Sequence, residues 1–113
     1  MTKDLDIDIL RRGSCSVLSV SGDIDLETSP GVRAAILSLL KRRSQERIIV
    51  DLKGVSHMDC SGVAGLVEGL YEAKKRNARF ILSGLNRLPR QVMDLNRLTE
   101  MFEITRTVEE ALA

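Results

Sequence analysis

The stretch that most restricts the fold is Ile48-Ile49-Val50-Asp51-Leu52, an almost unbroken apolar run dominated by β-branched residues and led by Arg47. Such a run suits a strand covered on both faces, the situation of a central strand running parallel to a neighbour. A polar loop follows, Met58-Asp59-Cys60-Ser61-Gly62, and then an amphipathic segment from Val63 to Arg76. Val63, Leu66, Val67, Leu70 and Ala73 recur there at helical spacing. A helix that begins beside a central strand presents unpaired N–H groups and the positive end of its dipole. A carboxylate, a thiol and a hydroxyl, on Asp59, Cys60 and Ser61, stand at that helix start.

The rest of the chain supplies partners for this unit. Leu5, Ile7 and Ile9 alternate with Asp6, Asp8 and Leu10, which predicts a half-buried strand ending in a turn at Arg12-Gly13-Ser14. Cys15, Val17, Leu18 and Val20 continue as a second strand, antiparallel to the first and closed by Ser21-Gly22-Asp23. The short apolar interruption Ile24-Asp25-Leu26 is expected to pack on the sheet edge. Ser29 as N-cap and Pro30 at the first helical position open a helix whose inner face is Val32, Ala35, Ile36, Leu39 and Leu40. Lys41-Arg42-Arg43 is expected in its last turn, as a solvated helix end.

In the amphipathic segment Gly65 and Gly69 share one stripe. An interior glycine costs about 1 kcal/mol relative to alanine, so the pair implies close approach to the sheet or to a partner. Asn77 is expected to end the helix. Phe80, Ile81 and Leu82 give another buried strand, stopped at Ser83-Gly84. Asn86 to Pro89 opens a third helix with Val92, Leu95 and Leu98 or Met101 facing inward. Phe102 and Ile104 suit a last edge strand, and Thr107 caps a final turn carrying Val108, Ala111 and Leu112.

The order β-β-α-β-α-β-α-(β)-α predicts an α/β domain, one unit over residues 1–113, with right-handed crossovers. A small mixed β-sheet of about four or five strands packs against about four helices. With so few strands, all the helices are expected on one face.

Composition excludes more than it specifies. A chain of 113 residues buries roughly two thirds of its unfolded surface and needs no disulfide or metal to hold it. The formal net charge of +1 offers no basic face for direct nucleic-acid binding, and Tyr71, Phe80 and Phe102 are too few for a base-stacking platform. Cys15 and Cys60 fit no metal or CxxC spacing. No apolar run approaches the roughly 20 residues of a membrane span, and Met1-Thr2-Lys3-Asp4 begins no signal peptide. The expectation is a cytoplasmic protein with reduced thiols and no membrane insertion.

Catalysis finds no constellation either. His57 is the single histidine, and a Cys–His or Ser–His pair would have to converge within one tight loop. No P-loop or dinucleotide fingerprint is present, and Gly62-Val63-Ala64-Gly65 is too sparse to cradle phosphate. No enzyme activity, cofactor or metal is expected. Two readings of the Asp59–Gly62 loop stay open on spacing alone. Ser61 is a helix cap and Asp59 a turn residue, or a hydroxyl here accepts a phosphate, whose nearly two negative charges switch binding to a partner.

Residues 50–66, from Val50-Asp51-Leu52 through Met58-Asp59-Cys60-Ser61-Gly62 to Leu66, resemble the V-D-L-x-x-V-x-x-M-D-S-S-G-L-x-x-L signature of STAS domains, the anti-sigma factor antagonists of bacteria. Ser21-Gly22-Asp23-Ile24-Asp25 resembles the family's S-G-E-L-D. Leu98 to Ile104 and Glu109-Glu110-Ala111-Leu112 resemble its L-x-x-x-F-x-I and E-E-A-L, so the resemblance spans nearly the whole chain. It implies a single STAS domain that works by partner switching. The unmodified antagonist binds an anti-sigma factor that is also a GHKL-type Ser/Thr kinase, and a sigma factor is freed. The kinase phosphorylates the first hydroxyl after the motif's Asp, and a PP2C-type phosphatase resets it.

On this chain the acceptor position carries Cys60, and Ser61 matches the second serine, a candidate substitute acceptor. The resemblance implies a partner surface of Asp23, Met58, Asp59, Cys60, Ser61, Gly62, Val63, Gly65 and Leu66, with Gly62 and Gly65 admitting the partner closely. Three consequences of Cys60 follow. The antagonist binds without regulation, Ser61 takes over as acceptor, or the domain serves another role, such as accessory subunit of a phospholipid-transport ABC complex. A redox role for Cys60 is favoured by the helix N-terminus and opposed by Asp59.

Overall fold

The computed structural model describes residues 5–42 and 46–113. Its strands are β1 (Asp6–Arg12), β2 (Cys15–Ser21), β3 (Arg47–Gly54), β4 (Arg79–Ser83) and β5 (Glu103–Thr105). Its helices are α1 (Ser29–Leu40), α2 (Cys60–Lys75), α3 (Arg87–Leu95) and α4 (Val108–Leu112), with a 3-10 turn at Thr99–Met101. The strands lie side by side in chain order. β1 and β2 form the expected antiparallel hairpin, turned at Gly13 with a left-handed φ of 62°, and every other pairing is parallel. The apolar run is therefore the middle strand, with parallel neighbours on both sides.

Both faces of β3 are fully buried. Ile48, Val50 and Leu52 point with Leu18, Phe80 and Leu82 into the core beneath α1, α2 and α3. Ile49, between Val17 and Ile81, lies under Val108, Ala111 and Leu112 of α4. The expectation that all helices share one face is corrected here. An apolar run without alternation has two apolar faces, and α4 is the element that covers the second.

Other departures have local causes. α1 is capped by Thr28 rather than Ser29, and Pro30 falls one position further in. The Thr28 hydroxyl is engaged in the preceding loop, donating to Asp23 O at 2.8 Å and accepting from Asp25 N at 2.9 Å. The helix stops at Leu40, so Lys41 is its C-cap and Arg42 lies beyond, while Arg43 lies outside the described residues. α2 ends at Lys75, and Asn77 takes a left-handed φ of 57° that reverses the chain into β4. In β1, Ile9 and Leu10 are exposed because an edge strand has cover on one side only.

Of the residues expected to face inward from the third helix, Val92 and Leu98 pack against the core and Leu95 does not. Pro89 and Met93 form the buried stripe, whereas Leu95 is 81% exposed. In α2, a Cβ placed on Gly69 would lie 2.9 Å from Ile36 Cγ2 and 3.1 Å from Phe80 Cζ. Gly69 thus serves the close seating of α2 on α1 and β4.

The phase of α3 is testable by chemical denaturation. Met93→Ala, which empties a fully buried site, is expected to cost about 2–5 kcal/mol. Leu95→Ala is expected to change stability by less than about 0.5 kcal/mol.

Candidate functional site

Because β2 and β3 are parallel, the loops that follow them leave the sheet at the same end. Backbone hydrogen bonds zip these loops together: Gly22 N–H to Gly54 O at 3.1 Å, Ile24 N–H to His57 O at 3.0 Å, and Asp59 N–H to Ile24 O at 3.0 Å. Ile24 and Met58 form a parallel bridge and both side chains are buried. From the α3 side, the Asn86 amide donates to Lys53 O at 3.0 Å and Val55 O at 2.7 Å. The loop that delivers Asp59 is held from two directions.

Asp59 is the N-cap of α2. Its Oδ1 accepts from Ser61 N–H at 2.9 Å and from the Ser61 hydroxyl, and its carbonyl accepts from Gly62 and Val63 N–H. The Ser61 hydroxyl, then the N–H groups of Ser61 and Gly62, hold the Asp59 carboxyl below its ordinary range, against slight burial and the nearby Asp25 carboxylate. Cys60 is the first residue of the helix and is exposed; Ser61 is half-buried. His57 Nδ1 lies 3.4 Å from Asp23 Oδ1. With His57 facing Asp23 and Ser61 facing Asp59, no Cys–His or Ser–His pair is assembled among the described residues.

Two open grooves flank this helix start. One, of about 430 Å³, runs from Cys60 along Ala64, Val67 and Tyr71 to Leu98 and is largely apolar. The other, of about 520 Å³, lies between Asp23, Asp25, His57 and Asp59 on one side and Leu88, Gln91 and Leu95 of α3 on the other. Among the described residues no group of three or more His, Cys, Asp or Glu is placed to hold a metal ion, and no helix is long and apolar enough to cross a membrane.

The expected partner-binding residues divide in two. Asp23, Asp59, Cys60 and Ser61 come together at one accessible end of the molecule. Met58, Gly62, Val63, Gly65 and Leu66 are buried, although Val63 still lines the groove beside Cys60 and Met58 the groove beside Asp23. The reason at Gly62 is steric: a Cβ there would sit 2.6 Å from Ile24 Cγ2 and from Met58 Cγ. Gly62 admits the domain's own core. A Cβ on Gly65 would lie 3.7 Å from Arg33 Cβ, an ordinary contact in the seam between α1 and α2. Sequence reasoning missed Asp25, Tyr71 and Leu95; for Leu95 the signal was its i, i+7 spacing from Leu88, a stripe distinct from Pro89 and Met93.

Comparison with known proteins bears on the whole chain. A family model described as the STAS domain matches residues 6–111. A protein named anti-sigma F factor antagonist from Paenibacillus polymyxa is 26% identical over 102 residues, covering 89% of this chain and 86% of that protein. A protein named anti-sigma-B factor antagonist from Listeria monocytogenes is 29% identical over 103 residues, covering 90% and 82%. The crystal structure of an anti-sigma factor antagonist from Mycobacterium paratuberculosis superposes with a TM-score of 0.86 at 25% identity, covering 96% of this chain and 92% of that one.

Two outcomes test the geometry. Asp59→Ala is expected to cost about 1 kcal/mol of stability at pH 7 through loss of the cap. The folded-state pKa of Asp59 is depressed, so its contribution is complete above the unfolded carboxyl pKa near about 3.9 and is lost as pH falls through the lower folded value. Urea titrations should therefore show the gap between wild type and variant closing as pH falls below the ordinary carboxylate range. Gly62→Val is expected to lower stability by about 1–3 kcal/mol through overpacking against Ile24 and Met58; an unchanged urea midpoint would contradict that packing.

Proposed function

The chain belongs to the STAS domain family, and from that premise we propose that it is an anti-sigma factor antagonist, a binding protein with no catalytic role. The observation that carries this reading is the exposed start of α2, where Asp59, Cys60 and Ser61 stand between two grooves at the residues that match the family signature. The relatives named above, similar over about nine tenths of the chain, support antagonism over the role of transport accessory subunit.

On this reading the partner is an anti-sigma factor that doubles as a GHKL-type Ser/Thr kinase, met in the cytoplasm, and its capture frees a sigma factor. Asp23, Asp59, Cys60 and Ser61 form the centre of the surface, and the apolar groove beside Cys60 extends it along α2. The exposed first position of the helix, where a kinase would reach an acceptor, carries a thiol. A thiol fills the same space without being a normal Ser/Thr-kinase substrate. Ser61 is the hydroxyl left at the helix start, but it is half-buried and committed to Asp59. We infer that this antagonist binds its partner without phosphate control, and that a PP2C-type phosphatase finds no substrate on it.

The test is intact-mass analysis and binding after incubation with the cognate anti-sigma factor kinase and ATP. Wild type is expected to stay unmodified and bound. Cys60→Ser is expected to gain one phosphoryl group and lose at least about tenfold in affinity, about 1.4 kcal/mol. Phosphorylation of wild type that disappears in Ser61→Ala would overturn the unregulated reading. Failure of wild type to bind the anti-sigma factor at all would overturn antagonism itself.

A further inference from the structure

Among the described residues β1 is a seven-residue strand paired on one side only, whereas the strand at the opposite edge, β5, has three residues. A long unpaired edge is a template for another strand, and proteins commonly blunt such edges with charge. The charges on β1 are sorted: Asp6 and Asp8 in its first half, Arg11 and Arg12 in its second. Among the described residues neither Asp8 nor Arg12 has an ion-pair partner. Between these charges, Ile9 is 47% and Leu10 53% exposed. An edge with acid at one end and base at the other repels a parallel copy of itself and matches an antiparallel one.

We propose that β1 is a self-association edge, on which a second copy of this chain pairs antiparallel so that the two sheets become one. The backbone parity allows it. The closing pair of the two-residue hairpin, Arg12 with Cys15, exchanges both of its hydrogen bonds, as do its even-numbered successors along β1. Ile7, Ile9 and Arg11 therefore turn their N–H and C=O groups to the open edge. With the two-fold axis at Leu10, Ile9 and Arg11 of the two copies exchange those hydrogen bonds. Leu10 meets Leu10, and Asp8 stands opposite Arg12 on either side of it. Cross-strand pairs of opposite charge and of apolar residues are the arrangements that stabilise an antiparallel ladder. The edge is self-complementary, as an isologous interface must be. None of the residues at the start of α2 takes part.

Sedimentation of the full chain from about 10 μM to about 1 mM reads the association, with circular dichroism confirming that each variant is folded. Wild type is expected to rise toward twice the monomer mass. Asp8→Arg alone and Arg12→Asp alone each set like charges opposite one another and are expected to stay monomeric. Mixing these two variants restores opposite charges at both positions and should bring the doubled mass back, as should the double exchange Asp8→Arg/Arg12→Asp in one chain. A wild type that stays monomeric over the whole range overturns the proposal. So does a dimer that either single variant leaves intact, and so does failure of the mixture and the double exchange to recover association.

Discussion

Everything in this domain depends on burying β3 on both faces. A strand with no polar side cannot lie at a surface, so helices must pack above and below it. The short α4, which taken alone is one marginal turn, acquires a structural task as the lid on Ile49. Arg47 adds a tie from the same strand, donating to Ala111 O at 2.8 Å. Parallel pairing of β3 with β2 then places the ends of both strands at one end of the sheet. The Ile24–Met58 bridge is a consequence of that pairing, and the start of α2 is fixed by it.

Polar residues mark where the helical cover gives way to the loops. Ser19, Asp51, Ser83 and Thr105 stand in register across β2 to β5, two residues beyond the apolar row that includes Val17, Ile49 and Ile81. Asp51 is the costly member, a carboxylate almost without solvent. It is compensated by Lys53 N–H at 3.1 Å, by the Ser19 hydroxyl at 3.5 Å and by the Lys53 ammonium at 3.8 Å. Two of these three partners come from Lys53, where the strand is leaving the sheet. Satisfying Asp51 and steering the chain toward the α2 loop are thus joined in one residue pair.

The parts legible in the sequence were those governed by short-range pattern: the hairpin, the apolar run, the glycine-bearing helix and the Thr107 cap, whose hydroxyl accepts from Glu110 N–H at 3.2 Å. The signature made the family legible as well. What sequence left hidden depended on which way a side chain turns in three dimensions. Leu95 and Met93 are both apolar, and only the seat of α3 against the core decides which is inside. Gly62 lies in a motif associated with partner contact, yet its missing side chain makes room for Ile24, distant in sequence and brought there by strand pairing. Thr28 holds the N-cap position of α1 without a side-chain cap bond, its hydroxyl being committed to Asp23 O and Asp25 N of the loop before it.

Asp59 carries two roles that pull in the same direction. As a cap it places a full negative charge on the N–H groups of α2, and the Ser61 hydroxyl keeps that charge in place. As a neighbour of Cys60, with Asp25 close enough to oppose its ionisation, it makes the helix start locally acidic. A phosphate on the first helical residue would gain from the helix dipole but add to that acidity. On the proposed reading, release of a partner is then a matter of surface charge and requires no rearrangement of a core locked on both sides of β3. On the same reading, a thiol in place of the acceptor hydroxyl keeps the shape of the surface and removes the means of charging it. On that reading, the rigidity that lets the site work without moving leaves it, with Cys60 in place, only its binding state.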